Sequence, residues 1–466
     1  MNLEIIFQAQ KKQSWHLRKT KTQVALKERR QVLKNLLDKI IAEEKQICAA
    51  MKADFNKSEF EVLMTEIYPV TQEIRFVLRK LEEWMRPARV ATPTMLMGAI
   101  SEIYKEPKGV VLIIAPWNYP FQLAMTPLVS AIAAGNCVVL KPSELTPHTS
   151  AWLESAIKDI FPANHAIAIL GDKEISAELL KLPFDHIFFT GSTAVGKIVM
   201  EAASKNLSSV TLELGGKSPT IVDDTADLDS AVDKILWGKF VNAGQTCVAP
   251  DYLLVQSSIH KAFVKKLKDK ITIWSKNSEN DHAAIISDAH VRRLNRLYTS
   301  TLASEAVLVS GGQFDLEKKK ISPTLFEKVT ASSDLMQEEI FGPILPIVNF
   351  AQINDAVQFI NQRQKPLALY LFSDSEDNIA KVLRETSAGG VCINATLIHL
   401  ANHHLPFGGV GESGMGSYHG HHGFETFSHH KAVLQQSWPG HFLKFLYPPY
   451  NGWKLKLVQK MIRWGL

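Results

Sequence analysis

Apolar residues along this chain change their spacing, and the change divides it. Up to about residue 86 they follow the helical period: Leu33, Leu36, Leu37, Ile40, Ile41 and Ile47 share one face, as do Val70, Ile74, Val77, Leu78 and Leu81. The opposite faces carry Lys, Arg and Glu and read as solvated helix surface. Pro87 and Pro93 break the period, and the segment 88–107 reads as extended, an excursion away from the first domain.

From Gly109 onward short apolar runs alternate with helical stretches. Val110 to Ala115 is continuous apolar, and the alternation continues with Cys137 to Leu140, Ala166 to Leu170, His186 to Phe189 and Val210 to Leu212. Such runs belong to parallel strands buried on both faces, so the alternation predicts a doubly wound α/β domain. Ligands in that architecture bind beyond the carboxyl ends of the strands. Pro116-Trp117-Asn118, Lys141-Pro142-Ser143-Glu144 and Thr190-Gly191-Ser192 stand at three such ends. A second α/β region begins near Ser218 and runs through Ile221-Val222 to Val391–Asn394. The tail, Phe442 to Leu466, mixes Trp453, Leu455, Leu457, Val458, Met461, Ile462 and Trp464 with Lys and Arg. It reads as an amphipathic helix, either packed on its own protein or lying on a membrane surface.

At 466 residues the chain exceeds one ordinary core, and with 46% hydrophobic and 21% charged residues it has the composition of a soluble globular protein. A net charge of +5, with no Arg-rich or aromatic-interleaved stripe, excludes nucleic acid as the evident partner. Cys48, Cys137, Cys247 and Cys392 are far apart and form no CxxC pair, which points away from zinc and disulfides and toward a reducing compartment. No signal-peptide pattern and no run long enough to span a membrane is found, so a cytoplasmic location is expected.

Candidate chemistry gathers in a few segments. Phe240-Val241-Asn242-Ala243-Gly244-Gln245-Thr246-Cys247 brings small residues and backbone N–H groups close to a lone thiol. Those groups would favour the thiolate and hold an oxyanion. Gly191 to Lys197 is nearly a phosphate loop, but Ile198 replaces the hydroxyl that would hold magnesium, which excludes a triphosphatase and leaves an anion site at a helix start. Glu213, before Leu214-Gly215-Gly216-Lys217-Ser218-Pro219, is a candidate base, as is the acid pair Glu338-Glu339 before Ile340-Phe341-Gly342-Pro343. His419, His421, His422, His429 and His430 lack the spacing and acidic partners of a metal site, so no metal is expected.

Together these segments resemble the aldehyde dehydrogenase superfamily. The matching pieces are Ala115-Pro116-Trp117-Asn118-Tyr119-Pro120, Lys141-Pro142-Ser143-Glu144, Phe189-Thr190-Gly191-Ser192, Glu213 through Pro219, Gly244-Gln245-Thr246-Cys247 and Glu339 through Pro343, all in the family's order. Pro406-Phe407-Gly408-Gly409-Val410-Gly411, Ser413 through Gly420, Thr426-Phe427-Ser428-His429 and Tyr447-Pro448-Pro449-Tyr450 are similar to the class 3 branch of fatty, aromatic and coniferyl aldehyde dehydrogenases. His421-His422-Gly423 departs from the Lys and Ser expected there.

The resemblance implies two doubly wound α/β domains, a Rossmann-like cofactor domain and a catalytic domain, plus a small bridging β arm. It divides the chain into 1–87 with 108–212 for the dinucleotide, 213–416 for catalysis, 88–107 with 417–440 for an arm joining two subunits, and 441–466 as tail. It implies Cys247 as nucleophile, Asn118 with the Cys247 N–H as oxyanion hole, and Glu213 as base, with Glu339 a second candidate. Trp117, Lys141, Glu144, Gly191, Ser192, Val195, Glu339 and Phe341 are expected at the cofactor, and Tyr119, Trp237 and Thr246 along the aldehyde tunnel. Glu144 on a ribose favours NAD and Lys141 pulls toward NADP, so NAD is expected with NADP also accepted. A homodimer and a medium- or long-chain or aromatic aldehyde follow by the same resemblance. A cofactor-independent thiol esterase and an inactive scaffold of the same fold are the alternatives.

Overall fold

The computed structural model describes residues 2–96, 98–277, 282–436 and 447–464. The early helical period becomes α1 (Leu3–Lys19), α2 (Thr22–Ala42), α3 (Glu44–Phe55), α4 (Glu59–Val62) and α5 (Tyr68–Met85), with a π-helical turn, Leu63–Ile67, between the last two. Leu33, Leu36, Ile40, Val70, Ile74, Val77 and Leu81 enter one core with the first sheet, whereas Ile41, placed on the same face by its spacing, is 46% exposed at the stripe's margin. The extended segment is an antiparallel pair, β1 (Ala88–Val90) and β2 (Ala99–Pro107).

The first sheet is built from β3 (Val110–Ile114), β4 (Cys137–Lys141), β5 (Ala166–Ala168), β6 (His186–Thr190) and β7 (Ser209–Glu213). Between them run α6 (Gln122–Ala134), α7 (Pro147–Ile160), α8 (Lys173–Leu179) and α9 (Thr193–Ser204). These strands lie parallel in the order β7-β6-β3-β4-β5. The chain winds outward from β3 through β4 and β5, then returns to the other side of β3 with β6. The switch point therefore falls between β3 and β6, where such sheets open a crevice.

The second sheet contains β8 (Pro219–Val222), followed by α10 (Leu228–Phe240), then β9 (Tyr252–Gln256), α11 (His260–Asn277) and α12 (Asp288–Leu302). After β10 (Val307–Ser310) a small pair, β11 (Phe314–Asp315) and β12 (Lys320–Ile321), precedes β13 (Thr324–Glu327) and α13 (Asp334–Gln337). The region ends with β14 (Ile344–Phe350), α14 (Ile353–Asn361), β15 (Ala368–Phe372), α15 (Glu376–Glu385) and β16 (Gly390–Ile393). The order is β10-β13-β14-β9-β8-β15-β16, parallel except for β10 at the edge.

The expected boundaries at 416 and 417 shift. The chain has already rejoined the first sheet at β17 (Gly414–Met415), which pairs antiparallel with β7. Tyr418, Phe424 and Phe427, assigned in sequence to the arm, are buried in the first core, the last two in and just after α16 (Gly420–Thr426). The apolar side chains at these positions decide the matter: they bury against the first sheet's core, whereas the arm strand that follows is mostly exposed. The returning arm is β18 (Ser428–Gln436), paired with β2 along its whole length. Residues 437–446 of the expected arm and tail lie outside the described residues; the tail's helix is α17 (Gly452–Trp464).

Only Leu214–Ser218 separate the end of β7 from the start of β8. The carboxyl edge of the first sheet therefore meets the amino edge of the second. The Asp251 N–H, just before β9, donates to the Ser218 carbonyl at 2.8 Å and ties the junction together.

Candidate active site

The thiol loop grows from the end of α10. Val241 caps that helix through its N–H on the Trp237 carbonyl, and the chain then turns through Asn242 and Ala243, both with φ of 53°. Gly244 continues the turn at φ +74°, where a Cβ would lie 2.4 Å from the Gly342 carbonyl oxygen. That position therefore requires glycine for both space and conformation. The Asn242 amide donates to the Asn118 carbonyl at 2.8 Å and the Gln245 carbonyl at 3.2 Å. Gln245 donates to the Ala284 carbonyl and accepts from the Ile286 N–H, each at 3.0 Å.

Two residues from the end of β3 lock onto this loop. Asn118 Nδ2 donates to the Gln245 carbonyl at 3.1 Å, and Tyr119 Oη is 2.7 Å from Thr246 Oγ1. On the other side Tyr370 Oη donates to the Val248 carbonyl at 2.7 Å. Cys247 is thus held between anchored neighbours, and of the four free cysteines it alone is partly rather than fully buried.

The electrostatics differ from the sequence expectation. Burial, with Glu339 and then Glu213 adding repulsion, pushes the Cys247 thiol up to about 12. The N–H groups of Cys247 and Val248 pull it down and do not prevail. The resting site therefore holds a neutral thiol, because the two carboxyl groups and the apolar surroundings outweigh the loop amides. Glu213, at the end of β7, is buried with no hydrogen-bond partner on either carboxyl oxygen among the described residues, and burial raises it well above the carboxylate range. Glu339 Oε2 lies against Gly215, and the Gly216 N–H stabilises its charge; burial and the charge of Asp251 nevertheless raise it to about 8.

The expected cofactor residues collect along the carboxyl edge of the first sheet. Lys141 ends β4, is buried, and donates to the Pro142 carbonyl at 2.7 Å and Glu144 at 3.3 Å. Burial lowers its pKa, with Glu144 opposing. Thr190 pairs with Glu213 in register, so Gly191 and Ser192 stand beside the candidate base; the Gly191 N–H donates to the Glu213 carbonyl at 3.0 Å. Ser192 caps α9 by accepting the Val195 N–H, and Val195 is 43% exposed. Trp117 and Phe341 meet edge to face, ring centroids 5.4 Å apart. A helix start, an apolar Val195 surface, a carboxylate-bearing β4 end and Glu339 across the junction make a surface suited to an extended dinucleotide.

Trp237 sits on the last turn of α10 and is 44% exposed. The histidines of the C-terminal segment turn to separate neighbours: His419 stacks on Phe407, and His421 approaches Lys105 and Glu425. Lys197, the lysine of the near-phosphate loop, pairs instead with Glu412.

Several groups that build the site carry no sequence signal of their own. Lys217 binds the Asp251 carboxylate and the carbonyls of Leu335 and Glu338, while Asp251 also accepts the Ile340 N–H at 2.9 Å. Arg293 donates to the carbonyls of Glu339 and Ile340, so Glu339 is pinned from two sides. Asn242 is legible only as a turn residue before glycine.

A sequence profile of the Aldehyde dehydrogenase family matches residues 4–433. The chain is 46% identical over 438 residues to the 4,4'-diaponeurosporen-aldehyde dehydrogenase of Staphylococcus aureus, covering 93% of this chain and 94% of that one. It is 44% identical over 444 residues to aldehyde dehydrogenase family 3 member A2 of Pongo abelii, covering 94% and 89%. A solved structure, the substrate-bound state of Staphylococcus aureus AldH, superimposes with a TM-score of 0.94 at 44% identity, over 99% of this chain and 100% of that one. The chain belongs to the aldehyde dehydrogenase family, in its class 3-like branch, and is an oxidoreductase that oxidises aldehydes with NAD or NADP.

Proposed function

We propose that Cys247 attacks the aldehyde carbon as thiolate and that the product leaves by hydrolysis of a thioester on its sulfur. The neutral resting thiol must first pass its proton to the ionised form of Glu339 or Glu213, the carboxyl groups whose charges it feels. The carbonyl oxygen becomes an oxyanion held by the Asn118 amide and the Cys247 N–H, both fixed by the Asn118–Gln245 contact. A nicotinamide dinucleotide, when bound, supplies the acceptor for the hydride that leaves this carbon. Glu213 then takes a proton from the water that attacks the thioester. The observation that carries the reading is the Glu213 carboxyl, buried with no hydrogen-bond partner on either oxygen among the described residues and close enough to act on the thiol's charge. Glu339 and Phe341 serve the nicotinamide end, Gly191, Ser192 and Val195 the pyrophosphate, and Lys141 with Glu144 the adenosine ribose.

The substrate is an apolar aldehyde, medium- or long-chain or aromatic. Tyr119 and Thr246 spend their hydroxyls on each other, so the wall they form presents carbon rather than hydrogen-bonding groups. The aldehyde named for the Staphylococcus aureus relative supports the same class. The arm of β1, β2 and β18 carries exposed Val90, Tyr104 and Leu434, which fits pairing of two subunits. The helix α17 is exposed along Trp453, Leu455 and Ile462, and its polar face is basic, which suits contact with an anionic membrane surface. Four free thiols suit a reducing, cytoplasmic setting.

The test is formation of reduced nicotinamide from hexanal, decanal and benzaldehyde with NAD and with NADP. Turnover that rises with chain length and is abolished in Cys247→Ser is expected. Full turnover in Cys247→Ser removes the thiol from the mechanism.

A further inference from the structure

A buried ion pair packs against the active-site loops, contributed by a part of the chain that none of the site motifs includes. Lys57 Nζ is 2.7 Å from Glu66 Oε1, and both side chains are 0% exposed. Burying two charges so completely costs solvation that their attraction only partly returns, so a site that keeps them asks for a reason beyond stability.

Each partner reaches the oxyanion side of the active site. Glu66 stands in the π-helical turn Leu63–Ile67, a rare irregularity that re-aims side chains. Its other oxygen accepts the Gln122 N–H at 2.9 Å, and the Phe121 N–H also stabilises its charge. These are N–H groups at the start of α6, immediately after Asn118-Tyr119-Pro120. An anion at a helix N-terminus fixes where that helix begins, and here the helix start carries the Asn118 amide. Lys57 meanwhile lies over the Tyr119 ring, 4.0 Å from its centroid. Tyr119 is the residue whose hydroxyl holds Thr246, next to Cys247. A second carboxylate from the same segment, Glu61, accepts the Asn242 N–H at 2.8 Å. Asn242 in turn donates to the Asn118 carbonyl. The segment 57–66 thus grips both halves of the oxyanion hole, the Asn118 side and the Cys247 side, without touching the reacting atoms.

We propose that Lys57 and Glu66 are a positioning pair that sets the register between Asn118 and the Cys247 loop, so that the oxyanion hole is formed before substrate arrives. The inference rests on the roles assigned above to Asn118 and Cys247. Its energetic logic is that of preorganisation: donors already held where the oxyanion will form need no reordering as the charge develops, and a displaced donor stabilises it less.

The test uses the full chain carrying Lys57→Met with Glu66→Gln, which removes both charges at once and leaves no unpaired buried ion; Lys57→Met alone is the companion variant. Three quantities are read: aldehyde turnover with its KM, p-nitrophenyl acetate hydrolysis, and the rate of Cys247 alkylation by iodoacetamide. All are normalised to titratable Cys247. Alkylation builds no oxyanion, whereas the other two reactions do. The double variant is expected to lose at least about tenfold in kcat for aldehyde and in ester hydrolysis, with the aldehyde KM and the alkylation rate within about threefold of the parent. Loss confined to the number of titratable thiols, with turnover per thiol unchanged, overturns the proposal and leaves the pair a fold-stabilising one. Asn118→Ala measured alongside separates the two readings. If it too turns over normally, the oxyanion-hole assignment fails and the pair's role with it; if it is slow while the double variant is not, only the pair's role fails.

Discussion

The carboxylate of Glu339 rests on the face of Gly215, so closely that a Cβ there would fall 2.1 Å from Oε2. The two residues come from opposite sides of the junction between the sheets, and the absence of a side chain on one decides where the other sits. Gly215→Ala is therefore expected to displace Glu339 without disturbing either sheet. The cofactor KM should rise about tenfold or more while thermal stability changes little. Gly215→Ala combined with Glu339→Ala should be no worse than Glu339→Ala alone, because the clash then has no partner. Additive losses in that cycle would show that the methyl group acts elsewhere.

The thiol's own titration gives a second prediction. Burial and two carboxyl groups hold Cys247 up at about 12, so iodoacetamide labelling of the free enzyme should climb with pH across the neutral and alkaline range without reaching a plateau. Glu213→Gln with Glu339→Gln removes the repulsive charges and leaves burial, which is the larger cause. The labelling curve should move to lower pH but stay above that of an exposed thiol. A plateau near neutrality in the parent would mean that the loop amides prevail after all.

Stability should respond to Glu339 as well. Its folded value of about 8 lies above the ordinary 4.5, so the fold favours the neutral carboxyl. That contribution is fully present below 4.5 and is lost as pH rises through about 8. Glu339→Gln keeps the neutral form at every pH. Denaturant midpoints of the parent should fall relative to the variant between those two values and run parallel above them. Parallel curves throughout would place the carboxyl in an environment no different from water.

Much of this site is legible in the sequence because its parts are local. The apolar runs at β3, β4, β6 and β7 announce a parallel sheet, and each is followed at once by its chemical residues, so Asn118, Lys141, Gly191 and Glu213 arrive on one edge. Cys247 and Glu339 are different. They precede β9 and β14, at amino ends, and a rule about carboxyl ends does not find them; the motif resemblance does. Lys57, Glu61 and Glu66 are invisible, since such charges resemble any solvated surface and only the folded chain shows Lys57 and Glu66 buried against Tyr119 and Gln122 and Glu61 on the Asn242 N–H. The return of Tyr418, Phe424 and Phe427 to the first core was hidden for a related reason: pattern alone does not tell which of two cores an apolar residue joins.

Deacylation supplies a fourth prediction. Burial raises Glu213 well above the carboxylate range, and neither of its oxygens has a hydrogen-bond partner among the described residues. If it is the base, thioester hydrolysis should quicken as pH rises toward its elevated value, and Glu213→Gln should accumulate acyl-enzyme visible in the intact mass. Glu339→Gln under the same conditions should not. The reverse pattern would transfer the water-activating role to Glu339, whose value near 8 also suits a base.

The tail makes the last prediction. Around α17, Lys456, Lys460 and Arg463 share one side with Gln459, while Trp453, Leu455, Leu457, Val458 and Ile462 spread over the rest. Among the described tail residues, Tyr447–Trp464, there is no acidic side chain. Lys454 lies on the opposite side, between Val458 and Met461, and an exposed helix that mixes such apolar side chains with Lys454, Lys456, Lys460 and Arg463 is what an anionic bilayer surface attracts, with each cation contributing about 1 kcal/mol near it. The full chain should therefore co-sediment with phosphatidylglycerol vesicles, release at high salt, and bind phosphatidylcholine vesicles weakly. A chain ending at residue 446 should lose the binding and keep its turnover of hexanal, a freely diffusing substrate. Should the truncated chain still sediment, the contact lies on the body of the enzyme; should the full chain ignore both vesicle types, α17 packs on protein instead.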